Sequence, residues 1–513
     1  FLYELANALA TSGVDISRVH FKSLGGHAYD LLYVTDQQGR KITDEKALLE
    51  LRAATVLTKQ FTHLLPNSPN PEAALTHFRE FMSQFFGRPD WIEELSSLER
   101  PEVLDALAKL LGISDFLWSD FLRMQHANLF PVLRNVEDLA IRKNKEELQG
   151  ELDRELLSAP PGEPRVVALN SWKDRQMFRT DMRHILGHIP EFGQFSSELS
   201  DGAEIVVEAA CRIVNEELQA RYGVPLQSSG DPAPYSVCAL GKCGGRELGY
   251  ASDIELMFVY DGEGKTSGPE QITVTEYYTK LVESVLQTIR TRHEGIFQVD
   301  LRLRPYGKGG PLAVSLEAFR TYFALGGPAW PYERQALVKL RPICGNESFG
   351  KVVADLRDEL IYSGKAFDTE AMRGMRERQL RQLVTPGKFN AKFSPGGLVD
   401  IEYLVQGLQM IHAHEHPEIK APNTRAALRA MRDAGLLSEA NFQVLNSSCI
   451  FLRRLIDALR VVRGDAKDLS VPPPNSEEFQ FLARRLGCED DVARLHQDIQ
   501  DHASRIVAIN HSL

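Results

Sequence analysis

Apolar residues alternate with polar ones in only a few short runs of this chain. Through most of the remainder they recur at spacings of three and four, which predicts an α+β protein that is mostly helical. Leu2, Leu5 and Leu9 share a helical face, and Val14 to Leu24 and Ala28 to Thr35 read as strands joined at Gly25-Gly26. Asp36-Gln37-Gln38-Gly39 then turns the chain before Asp44 opens a helix. From about Pro71 to Asn135 the runs ALTHFREFMSQFF, PEVLDALAKLLG and SDFLWSDFLRM predict a helical bundle. A heavily charged segment, Glu137 to Leu157, leads into Pro160-Pro161-Gly162-Glu163-Pro164, which reads as a linker. Helices resume at Trp172 to His188 and Glu204 to Tyr222.

The stretch from Tyr235 to Arg304 breaks this helical monotony. A strand over Ser236 to Leu240 ends at Gly241-Lys242-Cys243-Gly244-Gly245, where glycine permits a tight turn and close backbone approach. A second strand, Asp253 to Tyr260, carries Asp253 and Glu255 two residues apart, so both carboxylates leave the same face. A third strand-like run, Ile296 to Arg302, carries Asp300. Singly, each acid reads as an ordinary polar-face residue and a lone Gly-Gly as a turn. Together, three converging carboxylates repel one another unless cations fill the space, and hard magnesium ions take carboxylate, water and phosphate oxygens. The combination points to metal-assisted phosphoryl or nucleotidyl transfer, in which paired ions clamp the attacking and leaving oxygens. Lys242, Arg302 and Arg304 are candidates for neutralising phosphate charge, and the amides of Gly244 and Gly245 for cradling it.

Thr273 to Arg292 predicts an amphipathic helix covering the sheet, followed by a glycine-rich loop at Pro305 to Gly310 and a short strand at Pro311 to Ser315. Glu333 and Arg334 read as a structural pair, while Lys339 and Arg341 alternate on a possible further strand where either would face phosphate. Beyond Glu370 the pattern is helical throughout. Leu398 to Ile411 starts a helix with Asp400 and Glu402 near its N-terminus, where acids suit the dipole. His412, His414 and His416 read as the polar end of that helix rather than a metal site.

Composition narrows the class. A chain of 513 residues with 43% hydrophobic and 25% charged residues is long enough for several globular domains. No apolar run reaches the roughly 20 residues that span a bilayer, and the start has neither signal- nor transit-peptide character. The net charge of -11 argues against general nucleic-acid binding. The six cysteines lack CxxC spacing, so neither zinc nor a disulfide framework is expected and a reducing cytoplasm fits. Phe1 opens inside an apolar helical pattern, so the sequence is expected to be part of something longer.

Four blocks in order, GKCGGRELGYASDIELMF, VDLRLRPYGKGGPLAVS, WPYERQALVKLR and FSPGGLVDIEYLVQ, resemble the glutamine synthetase adenylyltransferase and adenylyl-removing family of the polymerase-β-like nucleotidyltransferase superfamily, over roughly residues 70 to 505. The resemblance implies a mixed catalytic sheet flanked by helical domains. It also implies transfer of AMP from ATP to a tyrosine of glutamine synthetase, or removal with phosphate to give ADP, using Mg²⁺ or Mn²⁺. Asp253, Glu255 and Asp300 match the metal-binding acids, Gly244, Gly245 and Ser252 the nucleotide-facing loop, and Arg302 and Arg304 the basic pair after the third acid; the family's pairing of its catalytic domain with a helical domain implies, as an alternative for Lys392, Asp400 and Glu402, that they face the catalytic domain across a cleft. The family usually has Asp-x-Asp, and Glu255 departs from that; its longer side chain shifts the metal position. Only one copy of the acid motif is present, so one catalytic half is expected; its blocks RLRPYGKGGPL and YERQALVKLR resemble the deadenylylating half somewhat more, and neither direction of transfer is assigned. The α-β-β-α start resembles an ACT-type regulatory domain lacking its first strand, which implies glutamine as an effector; a small interaction module without a ligand is the alternative. The expected domains are 1–65 (ACT-like), 66–158 (helical), 165–360 (catalytic) and 361–513 (helical). Alternative functions are uridylylation of a PII-type signalling protein and a catalytically weak module responsive to glutamine or PII.

Overall fold

A computed structural model describes Ala6, Leu9 and residues 14–24, 27–112, 136–250, 252–291, 297–364, 368–463, 468–488 and 491–512. These fall into two compact units, one of residues 1–142, 182–188 and 461–464 and one of residues 143–181, 189–460 and 465–513.

The first unit opens with β1 (Val14–Leu24) and β2 (His27–Asp36), paired antiparallel with a register shift between Ile16 and Arg18. The turn after β2 closes on Asp36, whose carboxylate accepts from the Gln38 and Arg40 amides at 2.9 and 2.8 Å. Helix α1 (Glu45–Leu64) is capped by Asp44, which accepts from the Ala47 amide at 2.8 Å, as its position before the periodic run predicts. Helices α2 (Pro71–Phe86), α3 (Trp91–Leu98) and α4 (Pro101–Leu111) follow, two of them with proline at the first turn, where a missing N–H costs nothing. Their apolar stripes meet in an aromatic core. Phe61 stacks on Phe78 at 3.8 Å between ring centroids, and Phe81, Phe85 and Trp91 are fully enclosed around them. The expected helix at SDFLWSDFLRM lies outside the described residues.

The second unit holds both the acid-bearing strands and the C-terminal helices. It starts at α5 (Lys145–Ser158), where Asn144 and Glu147 close a reciprocal capping box with amide contacts of 2.8 Å each. The proline-rich stretch after it is a tight turn rather than a linker. Gly162 adopts φ +83°, and Pro164 already lies in the first turn of α6 (Glu163–Ile185), where proline is tolerated. Helix α7 (Gln194–Tyr222) likewise begins earlier than expected.

A five-stranded mixed sheet lies at the centre of this unit. Strands β3 (Tyr235–Ala239) and β4 (Ile254–Tyr260) pair antiparallel, and β7 (Arg341–Gly345) joins the far side of β3. The free edge of β4 is shared by two short parallel strands, β5 (Val299–Asp300) at its start and β6 (Ala313–Ser315) at its end. Alternation along β4 sorts its side chains into two cores. Ile254, Leu256 and Phe258 pack with α7 and with α8 (Val274–Thr288), whereas Met257 and Val259 pack with the C-terminal helices. Burial on both faces explains the nearly unbroken apolar run of this strand.

Helix α9 (Leu316–Phe323), α10 (Pro331–Ala336) and α11 (Glu347–Ile361) lead out of the sheet. They are followed by α12 (Thr369–Leu383), α13 (Leu398–His412), α14 (Thr424–Asp433), α15 (Glu439–Arg463), α16 (Glu477–Arg485) and α17 (Val492–Ser512). Glu333 and Arg334 are not partners of one another: Glu333 accepts from the Tyr322 hydroxyl at 3.1 Å, and Arg334 donates to the Leu360 carbonyl at 2.7 Å. Among the described residues no helix is long and apolar enough to cross a membrane.

Phe81→Ala removes a fully enclosed ring from the aromatic core of the first unit. It is expected to cost that unit about 3–5 kcal/mol, measured as a lowered denaturant midpoint followed by near-ultraviolet circular dichroism. An unchanged midpoint would show that the ring is not packed as described.

Candidate active site

Asp253 stands immediately before β4 and Glu255 is its second residue, on the same face as Met257 and Val259. Both acids are therefore turned toward the C-terminal helices. Parallel pairing puts Asp300 directly opposite Glu255, so the sheet brings the three predicted acids to one corner. Strand β5 is shorter than the predicted run, whose Ile296 lies outside the described residues. The Arg302 amide donates back to the Asp300 carboxylate at 2.8 Å and turns the chain away from β4. Just upstream, Phe297 donates to the Ser252 carbonyl at 3.2 Å from a left-handed backbone at φ +54°, a strained conformation beside the acids.

The acids differ in how their charge is answered. Asp253 Oδ1 and Glu255 Oε2 are buried and accept no hydrogen bond. Burial first, and then the nearby Asp300 charge, raises the Asp253 carboxyl above its ordinary range. Burial likewise raises Glu255, against the opposing pull of Lys242. Asp300 is shifted the other way: burial pushes it up, but hydrogen bonds from the Arg302 side chain and amide outweigh this and hold it low. The Arg302 guanidinium reaches Asp300 at 2.6 Å, with its side chain 64% exposed.

Two desolvated carboxylate oxygens without donors are the ligands a hard divalent cation satisfies, so these residues fit a magnesium or manganese ion in chemical type. As they stand, no three His, Cys, Asp or Glu residues among those described are grouped closely enough to hold an ion. Asp300 is engaged by Arg302, and a solvent-facing ion pair of that kind is weak enough to yield to a stronger cation.

The glycine turn serves this corner through packing. Gly241 has φ +50°, and a Cβ there would lie 2.9 Å from the Glu255 carboxyl carbon, so the acid rests directly on the Gly241 backbone. A Cβ on Gly244 would fall 1.9 Å from the Lys339 carbonyl oxygen, and one on Gly245 2.9 Å from Glu247 Oε2. The amides of Gly244 and Gly245 donate to the Leu240 and Gly241 carbonyls at 2.7 and 3.1 Å, inside the turn. The expected amide cradle is thus replaced by a requirement for close approach. Ser252 likewise turns inward, its hydroxyl accepting from the Gly249 amide at 3.1 Å.

Arg304 does not pair with Arg302 as a second phosphate contact. It is buried and donates to the Leu301 and Pro311 carbonyls at 2.8 and 3.0 Å, stapling the glycine-rich loop. Nor do Lys339 and Arg341 face an open site. Arg341 holds the Gly244 carbonyl at 3.0 Å and Glu204 at 2.6 Å. Lys339 is buried against Glu247, with Arg453 2.9 Å from the same Glu247 oxygen and 3.3 Å from Glu402. The Thr424 amide at the start of α14 completes the cluster, donating to Glu247 at 2.8 Å. Burial raises the Glu247 carboxyl, but Arg453, Lys339 and this amide overcome it and bring it down to about 2. Asp400 sits apart from the acids, held by Arg376 at 2.5 Å and by the Gly396 amide at 2.7 Å, so it belongs to the helix start.

Cations reach the corner from both walls. Lys242 extends from the glycine turn, and Lys392 from the segment before α13; both feel Glu255 and Glu402, and Lys392 bears on Lys242. Arg460, which sequence reasoning missed, arrives from α15 and donates to the Tyr250 carbonyl at 2.8 Å. The signal was present: Arg453, Asp457 and Arg460 recur at helical spacing among the apolar residues Leu452, Leu455, Ile456 and Leu459, and charges placed among buried residues need partners elsewhere.

Residues 104–355 match the family model for glutamate-ammonia ligase adenylyltransferase, and residues 369–513 that for GlnD PII-uridylyltransferase. The chain is similar to bifunctional glutamine synthetase adenylyltransferase/adenylyl-removing enzymes. It is 31% identical to that of Thioalkalivibrio sulfidiphilus over 76% of this chain and 41% of the relative. It is 28% identical to that of Shewanella loihica over 86% of this chain and 45% of the relative. The Bordetella pertussis protein is 36% identical over 56% of this chain and 32% of its own length. The chain thus spans less than half the length of these curated relatives.

The Glu247 cluster sets an acid-side prediction. The folded value lies below the ordinary 4.5, so the contribution is complete above about 4.5 and is lost as the pH falls toward about 2. Glu247→Gln leaves Lys339 and Arg453 buried beside an uncharged partner and is expected to cost about 3–5 kcal/mol near neutrality. Its stability should also fall less steeply than that of the parent between pH 4.5 and 2. Identical acid limbs in chemical denaturation would contradict the assignment.

Proposed function

We propose, on the match of residues 104–355 to the glutamate-ammonia ligase adenylyltransferase model and the similarity to bifunctional glutamine synthetase adenylyltransferase/adenylyl-removing enzymes, that the chain moves an adenylyl group to or from a tyrosine of glutamine synthetase. The observation that carries the reading is the pair of buried, unpartnered oxygens on Asp253 and Glu255 beside Asp300, at one corner of a mixed sheet. In the forward direction the tyrosine oxygen bonds to the α-phosphorus of ATP, the bond to pyrophosphate breaks, and the tyrosine proton is lost. In the reverse direction a phosphate oxygen bonds to the α-phosphorus of the modified tyrosine, giving ADP, and the departing tyrosine oxygen takes up a proton.

Asp253, Glu255 and Asp300 would hold a divalent ion, magnesium or manganese, which when bound supplies charge neutralisation at the reacting phosphorus. Gly241 lets Glu255 approach the turn, so that the longer acid occupies the space an aspartate would leave. Lys242 and Lys392 offset the negative charge of the bound phosphates, and Arg302, released from Asp300, adds to this from the exposed side. Ser252, Gly244 and Gly245 shape the floor through the contacts they make within the turn.

The match of residues 369–513 to the uridylyltransferase model supports a second reading, in which UTP is the donor and a PII-type protein the acceptor. The β1–β2 hairpin with α1 is the segment to test for glutamine as an effector.

Incubating the chain and Mg²⁺ with unmodified glutamine synthetase and labelled ATP, and separately with adenylylated glutamine synthetase and phosphate, should give label on the target in the first or ADP in the second. Asp253→Asn is expected to lower the active direction by at least about 100-fold, the scale of losing one preorganised electrostatic contact at a transition state. Full activity in that variant, or label passing only from UTP to PII, would overturn the adenylyl reading.

A further inference from the structure

Large apolar side chains are left in solvent on the segment that leaves the acid corner. Tyr306 is 62% exposed, Trp330 62% and Leu325 58%. Single exposed apolar residues are ordinary on a protein surface, but these three share one frame. The frame is Tyr322, in the last turn of α9. Its buried ring meets the Tyr306 ring edge-on, with 4.6 Å between centroids. Its carbonyl accepts from the Ala329 amide at 3.1 Å, which folds the loop carrying Leu325 back against the end of the helix. Its hydroxyl donates to Glu333, whose carboxylate also accepts from the Trp330 amide at 2.8 Å. One buried tyrosine thereby sets the place of all three.

Tyr306 is held at φ +61°, a left-handed backbone that a bulky residue adopts only under constraint. The loop supplies the constraint. Arg304 donates to the Gly310 and Pro311 carbonyls at 3.2 and 3.0 Å, and a Cβ on Gly310 would lie 1.9 Å from the Pro305 carbonyl oxygen. The same loop keeps Tyr306 close to the acids. The Arg304 amide donates to the Leu301 carbonyl at 3.2 Å and the Gly307 amide to the Arg304 carbonyl at 2.8 Å, so the chain from Asp300 to Tyr306 is wound into two successive tight turns. An exposed ring does not offset that strain by burial, and strain of this kind gathers where a surface meets a ligand. Charge on the segment is one-sided as well. Residues 301–332 contain four bases and a single acid, Glu317, although the chain as a whole has more acids than bases, 70 against 59. Lys308 is exposed, and its side chain makes no hydrogen bond or ion pair with a described residue.

We propose that Tyr306, Lys308, Leu325 and Trp330 form the docking surface for the protein acceptor, a folded partner that presents an acidic segment beside its reacting tyrosine. The inference rests on the adenylyl reading for the identity of that acceptor and adds the surface by which it is held. Tyr and Trp, rigid and amphipathic, are the side chains that anchor protein interfaces, and a fixed presentation lowers the ordering cost of binding. Lys308 and the near absence of acids around it complement negative charge on the partner. A nucleic acid, the other partner that aromatic and basic groups hold, is opposed by the net charge of -11. A partner seated here lies one loop from Asp300, so its tyrosine meets the acids in an effectively intramolecular step.

Association of the full chain with glutamine synthetase, unmodified and adenylylated, is measured by surface plasmon resonance without nucleotide or metal, and the KM for each substrate in the transfer assay. Trp330→Ala is expected to weaken association about ten-fold or more, the scale of an interface hot spot. It should raise the KM for glutamine synthetase and leave that for ATP or phosphate unchanged. Tyr306→Gly should weaken association too, yet keep or raise the thermal midpoint, because glycine takes the left-handed backbone without strain. A ring that served only the fold would lower the midpoint and leave association alone. Lys308→Glu should slow association, and the affinity of the parent should fall as salt rises. If the variants lose association but no transfer occurs in either direction, the surface stands and the adenylyl reading fails. If transfer proceeds and all three variants bind and react as the parent does, the surface is refuted and the adenylyl reading stands. A parent that associates with neither form, or does so indifferently to salt, overturns the proposed occupant.

Discussion

Negative charge placed where the fold excludes water is the constraint on which the second unit turns. Strand β4 is buried on both faces, and its alternation sends Asp253 and Glu255 toward the C-terminal helices with one oxygen each left without a donor. Such groups cost several kcal/mol apiece unless a cation or proton answers them. The features around them respond to that demand: the bare backbone of Gly241 against Glu255, the Arg302 pair on Asp300, and the cations of Lys242, Lys392 and Arg460. The corner therefore carries charge that its own contacts leave partly unanswered.

A second, self-satisfied cluster holds the first in place. Glu247 lies just after the glycine turn and is gripped by Lys339 from the segment before β7, Arg453 from α15 and the amide at the start of α14. The glycine turn, the segment before β7 and the helices that carry Thr424 and Arg460 are thereby tied to one buried carboxylate. Arg341 adds a tie between the turn and α7 through Glu204. This division explains why Lys339 and Arg341 are spent inside the protein while Lys242 and Lys392 are not. Lys339 and Arg341 are paired with buried acids, whereas Lys242 and Lys392 keep open donors among the described residues.

The regular elements were legible wherever local physics acts alone. Asp44 before α1, Asn70 before α2 and Thr273 before α8 each accept from an amide three residues on, as residues of their type do at a helix start. The acid pair was legible because a spacing of two on a strand has one geometric meaning. Misreadings came where a residue type serves two purposes. Proline and glycine at 160–164 signal a break, but whether the break is a flexible linker or a tight turn depends on how closely the flanking helices pack. Gly-Gly signals either an amide cradle or a close contact, and the Lys339 carbonyl decided for the contact at Gly244.

The sequence by itself determined the classes of element, the three acids and the family resemblance, because periodicity, capping and motif spacing are properties of neighbours along the chain. The tertiary structure alone decided which charges are available. Arg302 and Arg304 are two residues apart and chemically identical, yet one rests on Asp300 in solvent and the other is buried among loop carbonyls. Arg460 lies more than 200 positions from Asp253, and no local pattern says that it will arrive beside the acids with an unused donor. Desolvation and pairing are set by groups that are distant in sequence and close in space, so they come into existence only when the sheet and the C-terminal helices meet.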